Sequence, residues 1–153
     1  MAGSRRTGNL RPTRERRLAR AAQRVLRWER AGRTRVEITL LPPAAMRRLN
    51  RRATGRRGLT DVISFALPQP DGTVVGDVYI CPAAARRWLR AAADGRSHET
   101  GAGSGLEEEL VRLTVHGVLH VLGYEHPEGP GRTRSRMWAV QERYVRRLLG
   151  TAR

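Results

Sequence analysis

Lysine is absent from these 153 residues, so all 30 basic side chains are arginine, and with 14 acidic residues the formal net charge is +16. A positive field of this size attracts phosphate backbones, and arginine adds bidentate phosphate contacts and stacking on exposed bases. Polyanions, RNA above all, are therefore the expected partners. A genome rich in G and C would also replace lysine by arginine, but that bias explains the identity of the cations better than their excess.

Cysteine and long apolar runs are also scarce. The single cysteine, Cys81, excludes an internal disulfide and fits a reducing compartment. The first 17 residues lack the apolar run of a secretory signal, and no stretch approaches the length of a membrane span. The sequence thus predicts a cytoplasmic protein that does not enter a bilayer.

The domain organisation follows from where apolar residues are missing. Residues 1–13 are basic and turn-prone, and we expect a mobile tail followed by one domain over 14–153. Residues 94–105 are rich in Gly and Ser and are expected to form a loop that leaves His98 solvated.

The apolar pattern predicts an α+β domain. Helical periods predict surface helices over 17–31 (ending at Gly32), 44–52, 82–93 and 135–149. Alternating or β-branched stretches predict strands over 35–41, 60–67 and 74–81. A short turn with Asp71 and Gly72 joins the last two strands, so they should form an antiparallel hairpin. We expect a small mixed β-sheet packed with several helices.

The most apolar segment, residues 106–122, predicts a central helix that carries two histidines. Beyond Leu110 this helix is apolar nearly all round, so it should run through the core. His116 and His120 are one turn apart and project from the same face. Because buried imidazoles need partners, their pairing predicts a common ligand.

A third histidine follows a glycine after this helix. Gly123 can adopt the left-handed conformation that ends a helix and lets the chain bring His126 back to the pair. An H-x-x-x-H pair alone on an apolar helix is more often a pair of core histidines, but the glycine and third histidine favour a metal site. Three imidazoles suit Zn²⁺, one ion per chain, with the fourth position left for water.

The histidine spacing also matches the zinc motif of metzincin peptidases, H-E-x-x-H-x-x-G-x-x-H. Position 117 holds Gly where those enzymes have the glutamate that acts as general base. A metzincin-like peptidase is therefore disfavoured by Gly117.

Four ordered segments resemble the YbeY-type endoribonucleases. The string HGVLHVLGYEH over 116–126 is similar to that family's H-G-x-L-H-L-x-G-Y-D-H signature. Leu49-Asn50, TDVISF over 60–65 and GDVYI over 76–80 resemble its L-N, T-D-V-L-S-F and G-D-I-x-I segments. The resemblance covers roughly residues 36–149. It implies a metal-dependent, single-strand-specific endoribonuclease that matures ribosomal RNA at the small-subunit 3′ end and works on ribosomal particles.

The sequence departs from the family pattern near two candidate functional positions. Glu125 stands where the family has Asp, and we consider it as a catalytic or ligand-orienting carboxylate. The family commonly has arginine where this chain has Thr54, so the phosphate contact must come from Arg52, Arg56 or Arg57, with Arg57 a candidate for catalysis. If none substitutes, the alternative is a non-catalytic, metal-containing RNA- or ribosome-binding assembly factor.

Other polar and aromatic residues receive structural interpretations. Asp61 is expected to make structural hydrogen bonds. The three tryptophans, Trp28, Trp88 and Trp138, lie on three predicted helices, which favours packing over base stacking. Metal identity, RNA preference, protein partner and oligomeric state do not follow from the sequence.

Overall fold

The computed structural model describes residues 12–95 and 105–150. Within them the helices are α1 Arg14–Trp28, α2 Pro43–Thr54, α3 Pro82–Ala93, α4 Leu106–Val121 and α5 Arg136–Leu149, with a 3₁₀ helix at Gly129–Arg134. The strands are β1 Thr34–Leu40, β2 Val62–Pro68 and β3 Val74–Ile80. Most of the expected tail, and His98 in the expected loop, lie outside the described residues.

The three strands form a mixed sheet in the order β1-β3-β2. The β2 and β3 strands are antiparallel, with Val62 opposite Ile80, and Gly72 in their turn has a φ of 83°. The β1 strand lies parallel to β3, with Thr34 opposite Val74. The predicted hairpin and the α+β class are confirmed.

The first helix begins three residues earlier than the periodicity predicts. The Thr13 hydroxyl accepts a hydrogen bond from the backbone N–H of Arg16 at 3.3 Å, which caps the helix ahead of its first apolar residue. The helix ends at Trp28 rather than at Gly32, because Arg30 takes the left-handed conformation with a φ of 54°. Capping and not apolar periodicity sets both ends.

Helix α4 is the centre of the fold. It packs against β2, β3, α1, α3 and α5. Its inner residues are fully buried, among them Leu110, Val115, Val118 and Leu119. No helix of the described residues is both long and apolar enough to cross a membrane.

Two glycines allow α4 to approach the sheet closely. A Cβ atom at Gly117 of α4 would lie 2.5 Å from Cγ1 of Val78 on β3. A Cβ atom at Gly76 of β3 would lie 2.5 Å from Cγ1 of Val121 on α4. Each glycine thus receives a valine of the other element, and this contact fixes the position of the histidine-bearing helix against the sheet.

Candidate metal centre

The three predicted histidines lie together. One potential ligand atom from each of His116, His120 and His126 lies within 4.8 Å of the other two. The ring centroids are 4.5, 5.1 and 5.0 Å apart. Gly123 has a φ of 93°, so the chain reverses after α4 and brings His126 to the pair as predicted.

Each histidine uses its Nδ1 to hold its ring in place. The Nδ1 of His116 lies 2.8 Å from Oε1 of Gln141, that of His120 lies 2.9 Å from the Tyr124 carbonyl oxygen, and that of His126 lies 3.0 Å from the Pro127 carbonyl oxygen. Carbonyl oxygens only accept, so each Nδ1 carries the proton and donates. Each Nε2 is then a free lone pair, which is the form that binds a metal ion.

The arrangement of the Nε2 atoms suits a shared metal ion better than a hydrogen bond between two histidines. Those of His116 and His120 are 3.0 Å apart, and with both Nδ1 atoms protonated neither Nε2 has a hydrogen to donate. Two nitrogens bound to one zinc ion at tetrahedral angles are about 3.3 Å apart. No fourth His, Cys, Asp or Glu of the described residues joins the cluster. The donor set therefore suits a three-histidine site with an open position.

A chain of hydrogen bonds between buried and partly buried side chains orients His116 through its Nδ1. Gln141, which accepts from His116, donates its Nε2 to Glu142 at 3.2 Å. Glu142 in turn accepts from Nε of Arg112 at 3.0 Å, and Arg112 also binds Glu109 at 2.9 Å. The donation to Glu142 turns the Gln141 carbonyl oxygen toward His116, which sets the tautomer of that ring.

Burial keeps His116 and His120 uncharged. The pKa of His116 is lowered to about 3, mainly because burial penalises the imidazolium, and the hydrogen bond to Gln141 offsets only part of this. Burial also lowers the pKa of His120. Burial opposes the charge of Arg112, but Glu142 and Glu109 outweigh it and raise the pKa of that guanidinium. At neutral pH His116 and His120 therefore present neutral ligand atoms.

The segment that carries His126 is fixed to the first helix. The Tyr124 hydroxyl donates to Glu29 at 3.0 Å, and the Tyr144 hydroxyl donates to the same carboxylate at 2.5 Å. The backbone N–H of Tyr124 donates to the Leu119 carbonyl at 2.9 Å. Contacts from α1, α4 and α5 thus hold the third histidine near the other two.

The cluster opens into a groove of about 550 Å³ beside the free side of β2. Its lining includes His116, His120, Asn50, Thr54, Arg56, Glu128 and four residues of β2, Val62, Ile63, Ser64 and Ala66. The groove is open to solvent, so a ligand can reach His116 and His120 from outside.

The candidate arginines occupy different places. Arg56 lines the groove and lies 3.6 Å from Glu128, whereas Arg52 and Arg57 are exposed and do not line it. The hydroxyl of Thr54 is used within α2, where it donates to the Asn50 carbonyl at 2.8 Å. Among the three arginines, the structure brings only Arg56 to the groove.

Glu125 is exposed and lines a separate, shallow depression with Tyr124 and Arg136. Gln141 was missed by sequence reasoning, although a signal exists. It is a polar residue on the otherwise apolar inner face of α5, between Val140 and Tyr144. A buried polar side chain on such a face needs a partner, and here the partner is a histidine of the cluster.

The comparison with protein families agrees with this geometry. The family model described as Endoribonuclease YbeY matches residues 6–149. This chain belongs to the YbeY family. The histidine segment, the residues that line the groove and the helices and strands of the α+β fold all lie within the residues matched to the YbeY model.

Relatives of the YbeY family match most of this chain. The protein named Endoribonuclease YbeY from Frankia casuarinae is 36% identical over 124 residues, which cover 72% of this chain and 55% of the relative. The protein of the same name from Mycobacterium tuberculosis is 38% identical over 121 residues, which cover 72% and 62%. The chain therefore spans less than two thirds of the length of either relative.

A solved structure has a similar fold. The solution structure of TM1509 from Thermotoga maritima aligns with a TM-score of 0.59 and 26% sequence identity. The alignment covers 90% of this chain and 82% of that chain.

Proposed function

We propose that this YbeY-family chain is a metal-dependent endoribonuclease that cuts single-stranded RNA, with zinc held by His116, His120 and His126. The observation that carries this proposal is the convergence of three imidazoles, each with a fixed Nδ1–H and a free Nε2, at a groove open to solvent. When bound, the metal supplies Lewis-acid polarisation of a phosphate oxygen and acidifies a water molecule.

The protein's own part is to position RNA and neutralise phosphate charge. Arg56 lies in the groove, and we assign it the contact to the phosphate that is cut. Its exposed partner Glu128 must give way to that phosphate, at little cost because the pair is solvated. Arg52 and Arg57, exposed beside the groove, contact the flanking strand. Glu125 is assigned a minor electrostatic effect on His120.

The biological setting rests on the family resemblance. We propose maturation of ribosomal RNA at the small-subunit 3′ end, with ribosomal particles as partners and the cytoplasm as location. The net charge of +16 supports an RNA partner.

The decisive experiment measures metal content and cleavage together. Wild type, His120→Ala and His126→Ala are assayed for zinc and for cleavage of single-stranded and duplex RNA, with and without chelator. We expect both variants and chelated wild type to lose cleavage by at least about a hundredfold. The variant His98→Ala removes the remaining histidine of the sequence and serves as control. Full cleavage by a metal-free variant would reject the proposal.

Arginine variants separate chemistry from RNA binding. We assign Arg56 to the phosphate that reacts, so Arg56→Gln should lower kcat by about tenfold or more. Arg57→Gln should raise KM and leave kcat near wild type. Arg20→Gln, on the exposed side of α1, controls for loss of charge alone.

A non-catalytic assembly factor is the second candidate, because Thr54 is used in a hydrogen bond within α2 and supplies no cation to the groove. Steep salt dependence of RNA binding without any cleavage would favour it. A peptidase is disfavoured further, since Val78 fills the space that a side chain at Gly117 would need.

A further inference from the structure

A second cavity adjoins the groove at His116. It has a volume of about 200 Å³ and shares Thr60 and His116 with the groove. Its lining comes from α3, α4, α5, the 3₁₀ helix and the segment before β2, and consists of Thr60, Asp61, Trp88, Glu109, Arg112, Leu113, His116, Arg132, Trp138 and Gln141. Because drug-sized ligands need roughly 300 Å³ or more, this space suits one ring system.

Aromatic side chains are concentrated here. Two of the three tryptophans of the sequence, Trp88 from α3 and Trp138 from α5, line this cavity. The Trp88 side chain is 43% exposed, whereas tryptophan side chains are on average highly buried in folded proteins. This exposure fits packing at the rim of the core, and it also leaves part of the indole accessible to a flat ligand that stacks on it.

The charged groups of the cavity balance. Glu109 and Arg112 are paired at 2.9 Å, and the other two charged residues of the lining are Asp61 and Arg132, whose charges attract each other. No ion pair joins Asp61 to Arg132 in the described part of the chain, and Nε of Arg132 is buried without a hydrogen-bond partner. A nearly neutral cavity does not select phosphate, unlike the rest of this basic molecule. It selects a neutral ligand with both donors and acceptors.

The Asp61 carboxyl group is buried and accepts hydrogen bonds from the backbone N–H groups of Asp61 and Val62. Burial, followed by the charge of Glu109, raises the pKa of Asp61 to about 6. A carboxyl group in this position gains from a ligand that donates two hydrogen bonds, because such donors replace the lost water.

We propose that this cavity binds a guanine base of the RNA, next to the phosphodiester that is cut. Guanine alone among the four bases presents adjacent N1–H and N2–H donors, which match the two oxygens of Asp61. Its O6 and N7 acceptors match the guanidinium of Arg132. The ring stacks on the exposed indole of Trp88, while the Arg132 guanidinium lies over Trp138 with its Cζ 6.0 Å from the ring centroid. Since His116 belongs to both cavity and groove, a nucleotide with its phosphate at the histidines can place its base here.

This inference rests on the proposed nuclease function for its place in RNA, but the base site can be tested without cleavage. Guanosine, adenosine, cytidine and uridine are titrated into the full chain, with binding followed by calorimetry and tryptophan fluorescence. Guanosine should bind about tenfold or more tighter than the other three, and inosine, which lacks the N2 amine, should lose most of that advantage.

Variants identify the residues that recognise the base. Asp61→Asn and Arg132→Gln should each weaken guanosine binding by about tenfold, and Trp88→Ala by roughly fivefold or more. Asp94→Asn and Arg134→Gln, both exposed, make the same charge changes outside the cavity and should bind as wild type. Trp88→Phe keeps a stacking ring and should restore part of the binding that Trp88→Ala loses.

The outcomes separate the two proposals. Equal binding of the four nucleosides, or wild-type binding by Asp61→Asn and Trp88→Ala, overturns the guanine site. RNA cleavage that is indifferent to base, without guanosine binding, also overturns it and leaves the nuclease standing. Guanosine binding without cleavage of any RNA supports the base site and contradicts the nuclease.

Discussion

The two nitrogens of each histidine in the cluster have separate tasks. Nδ1 donates to a carbonyl oxygen of Gln141, Tyr124 or Pro127, and Nε2 faces the other two rings. Only one of these acceptors, Gln141, is a side chain, so it can be changed without altering the backbone. It gives a direct test of whether ring orientation matters for metal binding.

Replacing Gln141 should weaken metal binding. Gln141→Leu keeps the volume but removes the acceptor from His116, so the ring loses both its tautomer and its orientation. We expect zinc affinity to fall by about 10- to 100-fold. Competition with a chromogenic chelator measures it, with the exposed Gln23→Leu on α1 as control. Unchanged affinity would show that the helix alone orients His116.

Asp61 makes stability depend on pH in a defined direction. Its folded pKa, about 6, lies above the ordinary value of 3.8, so the folded state holds this proton more tightly than the unfolded state. The resulting stabilisation is present below pH 3.8 and is lost as pH rises through 6. Asp61→Asn stays neutral at every pH and does not show this loss.

The prediction concerns the difference in the free energy of unfolding between Asp61→Asn and wild type, which should change with pH. Relative to wild type, Asp61→Asn should gain stability between pH 4 and pH 7, by no more than about 3 kcal/mol. Urea unfolding at several pH values measures this, and titrations common to both proteins cancel. A difference that stays constant with pH would contradict the raised pKa.

Among the secondary-structure elements, the contact of α4 with β3 controls the site. The valines Val78 and Val121 occupy the spaces above Gly117 and Gly76. Gly117 adjoins His116, so any shift of the helix at this contact also moves a histidine. The glycine that rules out the metzincin base therefore has a structural reason of its own.

Gly117→Ala should destabilise the protein. Alanine is the better helix former by about 1 kcal/mol, but its Cβ would meet a valine methyl at 2.5 Å on the rigid sheet, so strain wins. We expect a net loss of about 1–3 kcal/mol in the free energy of unfolding. Gly32→Ala, where no atom lies within 4 Å of the added Cβ, is the control. Equal stability of both variants would mean that α4 can move off the sheet freely.

The molecule as a whole carries a net charge of +16, which would attract the RNA proposed as its substrate. The paired charges near the site, such as Arg112 with Glu109 and Glu142, are used within the fold. Most other arginines are exposed and contribute to the field around the groove. In the proposed RNA complex, phosphate attraction would therefore be long-range, whereas the base contact would be confined to one cavity.

Salt should separate these two contributions. If Arg52, Arg56 and Arg57 contact three phosphates, a fourfold rise in salt should weaken binding of single-stranded RNA by roughly 20-fold. Guanosine carries no charge, so its binding should change little over the same range. Fluorescence anisotropy at roughly 50–200 mM salt measures RNA binding, and calorimetry over the same range measures guanosine binding. If RNA binding and guanosine binding depended equally on salt, the proposed separation of phosphate contacts from base contacts would be wrong.

Much of this fold was predictable because its signals are local. A period of 3.6 residues places His116 and His120 on one face, and Gly123 marks where the chain turns back to His126. A short turn that contains Gly72 joins β2 to β3, and its residue types predict it. Each of these depends on residues within about one turn of one another, so the amino-acid order alone carries them.

The remaining features depend on packing between distant segments. Arg56 reaches the groove and Arg57 does not, because the left-handed glycines Gly55 and Gly58 direct the chain between α2 and β2. Gln141 meets His116 across 25 residues of sequence, and the cavity with Trp88 takes its walls from several elements. Contacts of this kind leave no periodic pattern in the sequence, because they form only when the helices pack against the sheet. The tertiary structure alone decides them.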